Sequence, residues 1–443
     1  MGVRKHPWRE PLKPNRPTVT AEGDWAVVYV SVIVVSTVCL QRFALEIAGY
    51  PIQCSFIISA LAVLWLVTRR AAYIDSARLA LYLLVVTILS GTTILNAGQS
   101  SITSLGLLLV IYSSYVVVMP VSAGSYLRIL NVYQRTMLLV ALAGLLQFSL
   151  QFVWPFPGLF SFEGLVPQHM LMPGFNTVIP LAYGSTMFKS NGFVLLEPST
   201  FSQLLALAAL IELLFFPPRV RLLAYLAGMV VSYSGTGVLL LMLLGPLAFL
   251  LKRRIGFLLA FLGIGSIALA MGELLSISIF VSRADEFSST SSSGYARFIG
   301  PFHLVGQYIF DDFWAFLLGK GAGTIESYIA LADRPSHDPS WAKLIFEYGL
   351  SGAIAFIVFL FMCMFGTTHS RILSAAFWLK FFFLGGVLLS QTGSMLALAL
   401  IALPKCHGGA ATGQVEANGE QGLTRVRGES RREAGLRAGC SAG

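Results

Sequence analysis

Two short polar corners interrupt an otherwise apolar chain, and each contains an acid, a proline and a serine. The first is Ser190-Asn-Gly-Phe-Val-Leu-Leu-Glu197-Pro198-Ser199, and the second is His337-Asp338-Pro339-Ser340-Trp341. Each stands where an apolar run begins, so each marks the mouth of a helix whose first N–H groups lack intrahelical partners. Such mouths attract anions. Glu197, before Pro198, is placed to bind sugar hydroxyls or take a proton from one; capping of the helix accounts for it equally well. His337 precedes Asp338, a good N-cap, and Pro339, a good first helical residue. The positive end of the entering helix then favours a neutral imidazole able to exchange a proton near neutral pH. A loop histidine bonded to a backbone carbonyl is the plainer alternative.

Basic residues are scarce around these corners, which makes each one informative. Between Glu273 and Ser340 stand Arg283, Arg297, Lys320 and Arg334, against Glu273, Asp285, Glu286, Asp311, Asp312, Glu326, Asp333 and Asp338. The segment is net acidic, so a cation that binds phosphate there must be individually placed. Arg297, after Ser293-Gly294-Tyr295, is a candidate ligand for a diphosphate at headgroup level, with a salt bridge to Asp285 or Asp311 as the alternative. Arg283 is a second candidate, beside Asp285 and Glu286, which could simply neutralise it. Lys189 is a third, with Ser199 at the same corner. Glu347, two turns into the following helix, is a partner for His337 or a headgroup ligand.

Other features carry less. Asp311-Asp312 lacks a third ligand at metal spacing, and His169 and His303 are isolated. Gly319-Lys-Gly-Ala-Gly323 lacks the ending and strand context of a nucleotide loop and reads as a turn. Cys39, Cys54, Cys363, Cys406 and Cys440 show neither metal-ligand spacing nor a disulfide framework. Neither a metal nor a cofactor is expected.

The elements that position these residues follow from composition. The chain is 56% hydrophobic and 12% charged, against about a quarter charged in soluble domains, with a mean hydropathy of +0.75. These values describe an integral membrane protein built as one all-α polytopic bundle, because runs able to cross roughly 30 Å of hydrocarbon recur from Trp25 to near Leu403. The net charge of +9 is not a nucleic-acid signal, because the cations gather in alternate connections. Arg4, Lys5, Arg9, Lys13 and Arg16 precede the first run; Arg69, Arg70 and Arg78 follow the second; Arg128 and Arg135 follow the fourth; Arg219, Arg221, Lys252, Arg253 and Arg254 mark later turns. This is the positive-inside pattern. The first run lacks a small-residue cleavage site and reads as a retained anchor.

With the N-terminus inside, spans are expected near Trp25–Leu40, Ile52–Val67, Leu79–Leu95, Ile102–Met119, Met137–Trp154 and Pro198–Phe216. Two short runs, Leu222–Val231 and Val238–Leu251, flank the polar break Ser232–Gly237, as two crossings or one broken hairpin. Ile255–Gly272, Trp341–Phe365 and a second broken pair, Ile372–Leu389 and Met395–Leu403, bring the total to eleven or twelve. Residues 1–24 form an inner leader, 25–404 one transmembrane domain with outer loops 155–197 and 273–340, and 405–443 a tail too polar to build a core. The second loop is long enough to need structure of its own, with Ser288–Ser293 as a flexible patch and Tyr295–Leu318 as an interfacial helix.

The order Ser190-Asn-Gly-Phe, Glu197-Pro-Ser, Ser293-Gly294 with Arg297, Gly319-Lys-Gly-Ala-Gly323, His337 and Phe346-Glu-Tyr-Gly-Leu-Ser-Gly352 resembles the O-antigen polymerase and O-antigen ligase superfamily over roughly Lys189–Phe365. The resemblance implies a GT-C-like fold. It also implies metal-independent glycosyl transfer from an undecaprenyl diphosphate carrier at the periplasmic face of the bacterial inner membrane. It matches Arg297 to a diphosphate-binding loop arginine and His337 to the histidine before the closing helix. Asp338 stands where relatives often have asparagine, and Glu197-Pro-Ser where many have Asn-Pro-Asn. The implied role is polymerisation of carrier-linked repeat units, with transfer to lipid A core or protein as the alternative. The implied partners are the carrier-linked glycan, the bilayer, and chain-length regulator and export proteins. A transporter of lipid-linked glycan is the rival from another class, since broken hairpins occur in carriers, and a non-catalytic export partner is a third.

Overall fold

The computed structural model describes residues 22–47, 49–154, 156–162, 164–181, 184–217, 220–251, 293–332, 335–366, 370–385 and 388–406. The leader 1–21, the expected span Ile255–Gly272, Arg283, all but the last residue of the Ser288–Ser293 patch, and residues 407–443 lie outside the described residues. Those described are mostly helical. Four helices are long and apolar enough to cross a membrane: α3 (Ser76–Leu95), α5 (Ala123–Leu150), α6 (Pro198–Phe215) and α13 (Ser340–Phe365). Shorter apolar helices accompany them: α1 (Glu22–Cys39), α2 (Cys54–Thr68), α4 (Ile102–Ser113), α7 (Val220–Val231), α8 (Gly235–Leu251) and α15 (Gln391–Ala397). The outer-loop region adds α9 (Ser293–Phe298), α10 (Gly300–Tyr308), α11 (Phe313–Leu318) and α12 (Ile325–Leu331), and α14 is Arg371–Phe383.

Helix α6 is the hub. Largely apolar all round, it is buried along nearly its whole length, as a helix without an extended polar face must be. Its neighbour α8 comes close because Gly237 has no side chain: a Cβ there would overlap the Ser202 carbonyl. Turn residues Ser232–Ser234 join α7 to α8, and the Ser202 hydroxyl donates to the Ser234 carbonyl at 3.1 Å. The first polar break is therefore a tight turn between two helices, seated against the start of α6.

Contacts sort the helix ends into two groups. At one end Arg78, fully buried, donates to the carbonyls of Tyr115 (3.0 Å), Ala402 (2.8 Å) and Cys363 (3.0 Å). There β3 (Tyr73–Ile74), β4 (Val117–Val121) and β5 (Pro404–Cys406) form a small sheet in that order, antiparallel then parallel. Lys405 pairs with Asp75 at 2.9 Å, and Arg221 pairs with buried Glu212 at 2.6 Å. At the opposite end lie the hairpin of β1 (Ala44–Ile47) and β2 (Tyr50–Gln53), the α3–α4 connection, the Glu197 corner and the start of α13.

Several expected boundaries move. The Ile102–Met119 run is helical only to Ser113; a 3-10 turn (Ser114–Val116) and β4 follow, since a β-branched run closed by Pro120 favours extended backbone. Helix α5 starts at Ala123, where the Ser122 hydroxyl caps it by accepting from Ser125 N at 3.1 Å, so Arg128 and Arg135 lie within a helix rather than in a connection. Lys405 and Cys406, assigned to the tail by composition, form β5. The single interfacial helix expected over Tyr295–Leu318 is three helices. Ile299-Gly300-Pro301 divides the first two, and Asp312 caps the third, accepting from Trp314 N (2.9 Å) and Ala315 N (3.3 Å).

Helix α13 is broken at Gly349, whose φ of 64° and ψ of −171° are not helical. The break is matched by the turn at Gly319–Gly323, in which Gly319, Gly321 and Gly323 also have positive φ. Lys320 N donates to the Phe346 carbonyl at 2.8 Å and Gly321 N to that of Glu347 at 2.9 Å, supplying partners to carbonyls that the break frees. A Cβ on Gly349 would stand 2.5 Å from Gly319 N and from the Leu317 carbonyl carbon and oxygen. Gly349→Ala is expected to destabilise the fold by roughly 1–3 kcal/mol from backbone strain alone, read by chemical denaturation in detergent. A Gly306→Ala control, in open space, should be neutral or stabilising.

Candidate functional site

Both corners lie at the end of the bundle away from Arg78 and the Arg221–Glu212 pair. The second corner is fastened to α9. His337 N donates to the Ala296 carbonyl at 2.7 Å, which ties the residue leading into α13 to the helix carrying Arg297. The charges of Arg297, Asp338 and Glu197 all act on the His337 imidazole. An arginine, a histidine and a glutamate from three separate elements thus share one neighbourhood.

Glu197 is the N-cap residue of α6 and Pro198 its first residue, as the motif predicts. Its carboxylate does not bond the helix N–H groups. Instead it accepts from the Ser199 hydroxyl at 2.9 Å and from Asn176 N at 3.4 Å, so the half-exposed carboxylate is oriented by its own corner and by the preceding loop. Lys189, half-buried, is held through its backbone N–H, which donates to Ile179 O at 2.8 Å. The intervening Ser190-Asn191 pair is structural. Asn191 donates to the carbonyls of Phe160 (2.9 Å) and Thr177 (2.8 Å), and its oxygen accepts from Gln147 at 3.0 Å. This fastens the irregular 155–197 loop to α5, with Gly192 at φ +69° because Phe201 and Val140 leave no room for a Cβ.

Arg42, which follows α1, lies beneath this corner. It is 3% exposed, donates through Nε to the Leu195 carbonyl at 2.8 Å, and stacks over Phe162 at 4.8 Å. Burial pulls its pKa down to about 10, and its Nη2 has no hydrogen-bond partner.

His337 is exposed to solvent, and its neighbours desolvate the imidazole only in part. That partial desolvation and the Arg297 charge lower its pKa below the ordinary 6.5, against the opposing pull of Asp338 and Glu197. The folded state therefore prefers the neutral ring. Its contribution to stability is fully present above about pH 6.5 and is lost as the pH falls through the folded pKa. Melting temperature of the detergent-solubilised protein should fall between about pH 7 and about pH 5, and His337→Gln should shallow that fall.

The second corner differs from its expected form. Helix α13 starts at Ser340 with Pro339 as N-cap, and Asp338 does not cap it. Its carboxylate is drawn instead to Lys343, in the first turn of α13. Lys343, 3% exposed, contacts Asp338 and Glu326 at 3.2 Å each and Glu347 at 3.7 Å. Glu347 is wholly buried. Its carboxylate faces inward, 3.7 Å from the Lys343 ammonium. Sequence reasoning passed over Lys343, although a lysine four residues before a glutamate in an apolar helix is a signal in itself.

Glu197, Ser199, Arg297 and His337 are thus brought to one end of the bundle, Lys189 holds the approach to the first corner, and Arg283 lies outside the described residues. Among the described residues no group of three or more His, Cys, Asp or Glu side chains is placed to hold a metal ion. The arrangement sets a cation and an oriented carboxylate within electrostatic reach of a neutral imidazole, suited to binding an anionic group and moving one proton. No family model and no curated protein matches this chain.

Proposed function

We propose that this chain is a multi-pass glycosyltransferase of the bacterial inner membrane. It joins undecaprenyl diphosphate-linked repeat units into a longer glycan at the periplasmic face, as the O-antigen polymerase superfamily it resembles does. The observation that carries this reading is the gathering of Arg297, His337 and Glu197 at the end of the bundle opposite Arg78 and the Arg221–Glu212 and Lys405–Asp75 pairs. That end is periplasmic by the positive-inside rule.

In the reaction the anomeric carbon–oxygen bond to the diphosphate breaks, and the electron pair leaves with the diphosphate. A bond forms from an acceptor hydroxyl to the anomeric carbon, and the hydroxyl proton passes to a base. Arg297 stabilises the developing negative charge. Neutral His337 takes the proton, and Glu197, fixed by Ser199 and Asn176 N, orients the sugar hydroxyls.

Deletion of the gene followed by sizing of carrier-linked glycan tests the reading. Single repeat units should accumulate, and wild-type chain should restore the polymer where Arg297→Ala and His337→Ala do not. Full-length polymer left unattached would assign transfer to lipid A core or protein instead. Unchanged glycan after deletion would remove the reading altogether.

A further inference from the structure

Arg42 grips three separate stretches of the outer loop 155–197. It lies between α1 and β1, and the chain around it is held from behind. Gln53 Nε2 donates to the Gln41 carbonyl at 2.9 Å, and Cys54 N, at the start of α2, donates to the Phe43 carbonyl at 2.9 Å. From this base the Arg42 Nε donates to the Leu195 carbonyl at 2.8 Å, and the guanidinium stacks over Phe162 at 4.8 Å. The Arg42 carbonyl accepts from Met172 N at 2.8 Å. Phe43, next to it, pairs with Leu171 in an antiparallel bridge and stacks on Phe162.

Two of these contacts converge on one carboxylate. Leu195 stands two residues before Glu197, and Met172 four residues before Asn176, whose N–H donates to Glu197 Oε1. The chain that carries Glu197 and the chain that orients it are thus both referenced to Arg42. A guanidinium suits the task, because its planar edge donates to a carbonyl while its face rests on a ring. At 3% exposure it costs more to bury than an apolar side chain of the same volume, so filling space does not account for it. Resting on the glycosyltransferase reading, we infer that Arg42 is a positioning residue for that reaction. It acts through Glu197, setting the carboxylate for the sugar hydroxyls before they arrive.

Arg42→Met removes the donated bond and the charge over Phe162 while keeping most of the volume. Two readouts follow it, with melting temperature as a check on folding. One is elongation in proteoliposomes supplied with carrier-linked repeat units purified from the same cells. The other is amide hydrogen exchange in segments 172–177 and 192–200 of the full chain, read by mass spectrometry. KM should rise about tenfold with kcat within about threefold of wild type, because a contact used alike in the ground and transition states is loosened. Exchange in both segments should quicken by about tenfold as the corner opens more often. Glu197→Gln should raise KM similarly, and the double variant should be no worse than either single one, since both act through one carboxylate. Arg42→Lys, which still reaches the Leu195 carbonyl with a donor, should recover part of the KM.

Either readout unchanged in a folded Arg42→Met protein overturns the inference. So does a double variant whose loss is the product of the two single losses, or a loss confined to kcat. Should Arg42→Met fail to fold, Phe162→Leu decides instead: it removes the stacking ring, leaves the hydrogen bond, and should move KM and exchange in the same directions, and wild-type values overturn the inference. If gene deletion leaves the glycan unaltered while Arg42→Met still quickens exchange in both segments, the anchor of the Glu197 corner stands and the proposed reaction falls. If deletion stops elongation but Arg42→Met keeps wild-type KM and exchange, the positioning role falls and the reaction stands.

Discussion

Arg297→Ala is expected to lower the elongation rate by about two to three orders of magnitude, the usual cost of removing one preorganised donor from a developing negative charge. The size of the effect follows from placement. Arg297 is half-buried in α9, and the 2.7 Å bond from His337 N to the Ala296 carbonyl fixes the backbone beside it. The backbone that carries the cation is therefore held before any ligand arrives. Arg297→Lys should recover only part of the rate, because an ammonium keeps the charge and loses the planar fork that holds two phosphate oxygens together. The measurement is polymer formation from carrier-linked repeat units in proteoliposomes, with melting temperature as a check on folding. A well-folded Arg297→Ala protein that elongates within a factor of three of wild type would exclude Arg297 from the reaction.

Lys343→Met is expected to be among the most destabilising single substitutions in the chain, at about 3–5 kcal/mol, because it leaves a buried carboxylate without its counter-charge. The three acids do not suffer equally. Glu326 has its side chain 73% exposed and can turn to solvent, whereas the Glu347 side chain is 1% exposed and cannot. Lys343→Met combined with Glu347→Leu should therefore recover most of the loss, since an apolar pair of similar volume costs little where a lone charge costs much. Denaturant unfolding of the four proteins in the same detergent closes this cycle. A single variant as stable as wild type would show that the three contacts contribute nothing. Activity should separate the effects: the double variant, restored in stability, still lacks the tether on Asp338 and should lose turnover through a looser His337.

How much of this was legible beforehand depends on the range of the forces involved. The helical membrane class followed from composition, because apolar backbone in hydrocarbon must satisfy its hydrogen bonds within itself. The start of α6 at Glu197-Pro198 and the turn at Gly319–Gly323 were legible because proline at a first helical position and closely spaced glycines act over a few residues. The break in α13 at Gly349 was not, since glycine inside an apolar helix breaks it only when another segment binds the freed carbonyls, and that segment ends some 26 residues earlier at Gly323. Asp338 has the local spacing of a cap; a lysine one turn further on, shared with Glu326 of another helix, draws its carboxylate away.

What the amino-acid order determined alone is therefore the solvent this chain is built for, the ends that carry its charges, and which few polar residues interrupt the apolar runs. Only the tertiary structure decided that Arg297 and Glu197 come within electrostatic reach of His337 and that Glu347 faces inward to Lys343. The reason is physical. Periodicity and capping act within one or two helical turns, while a site assembled from α6, α9 and α13 depends on packing between residues 40 to 140 positions apart in the chain.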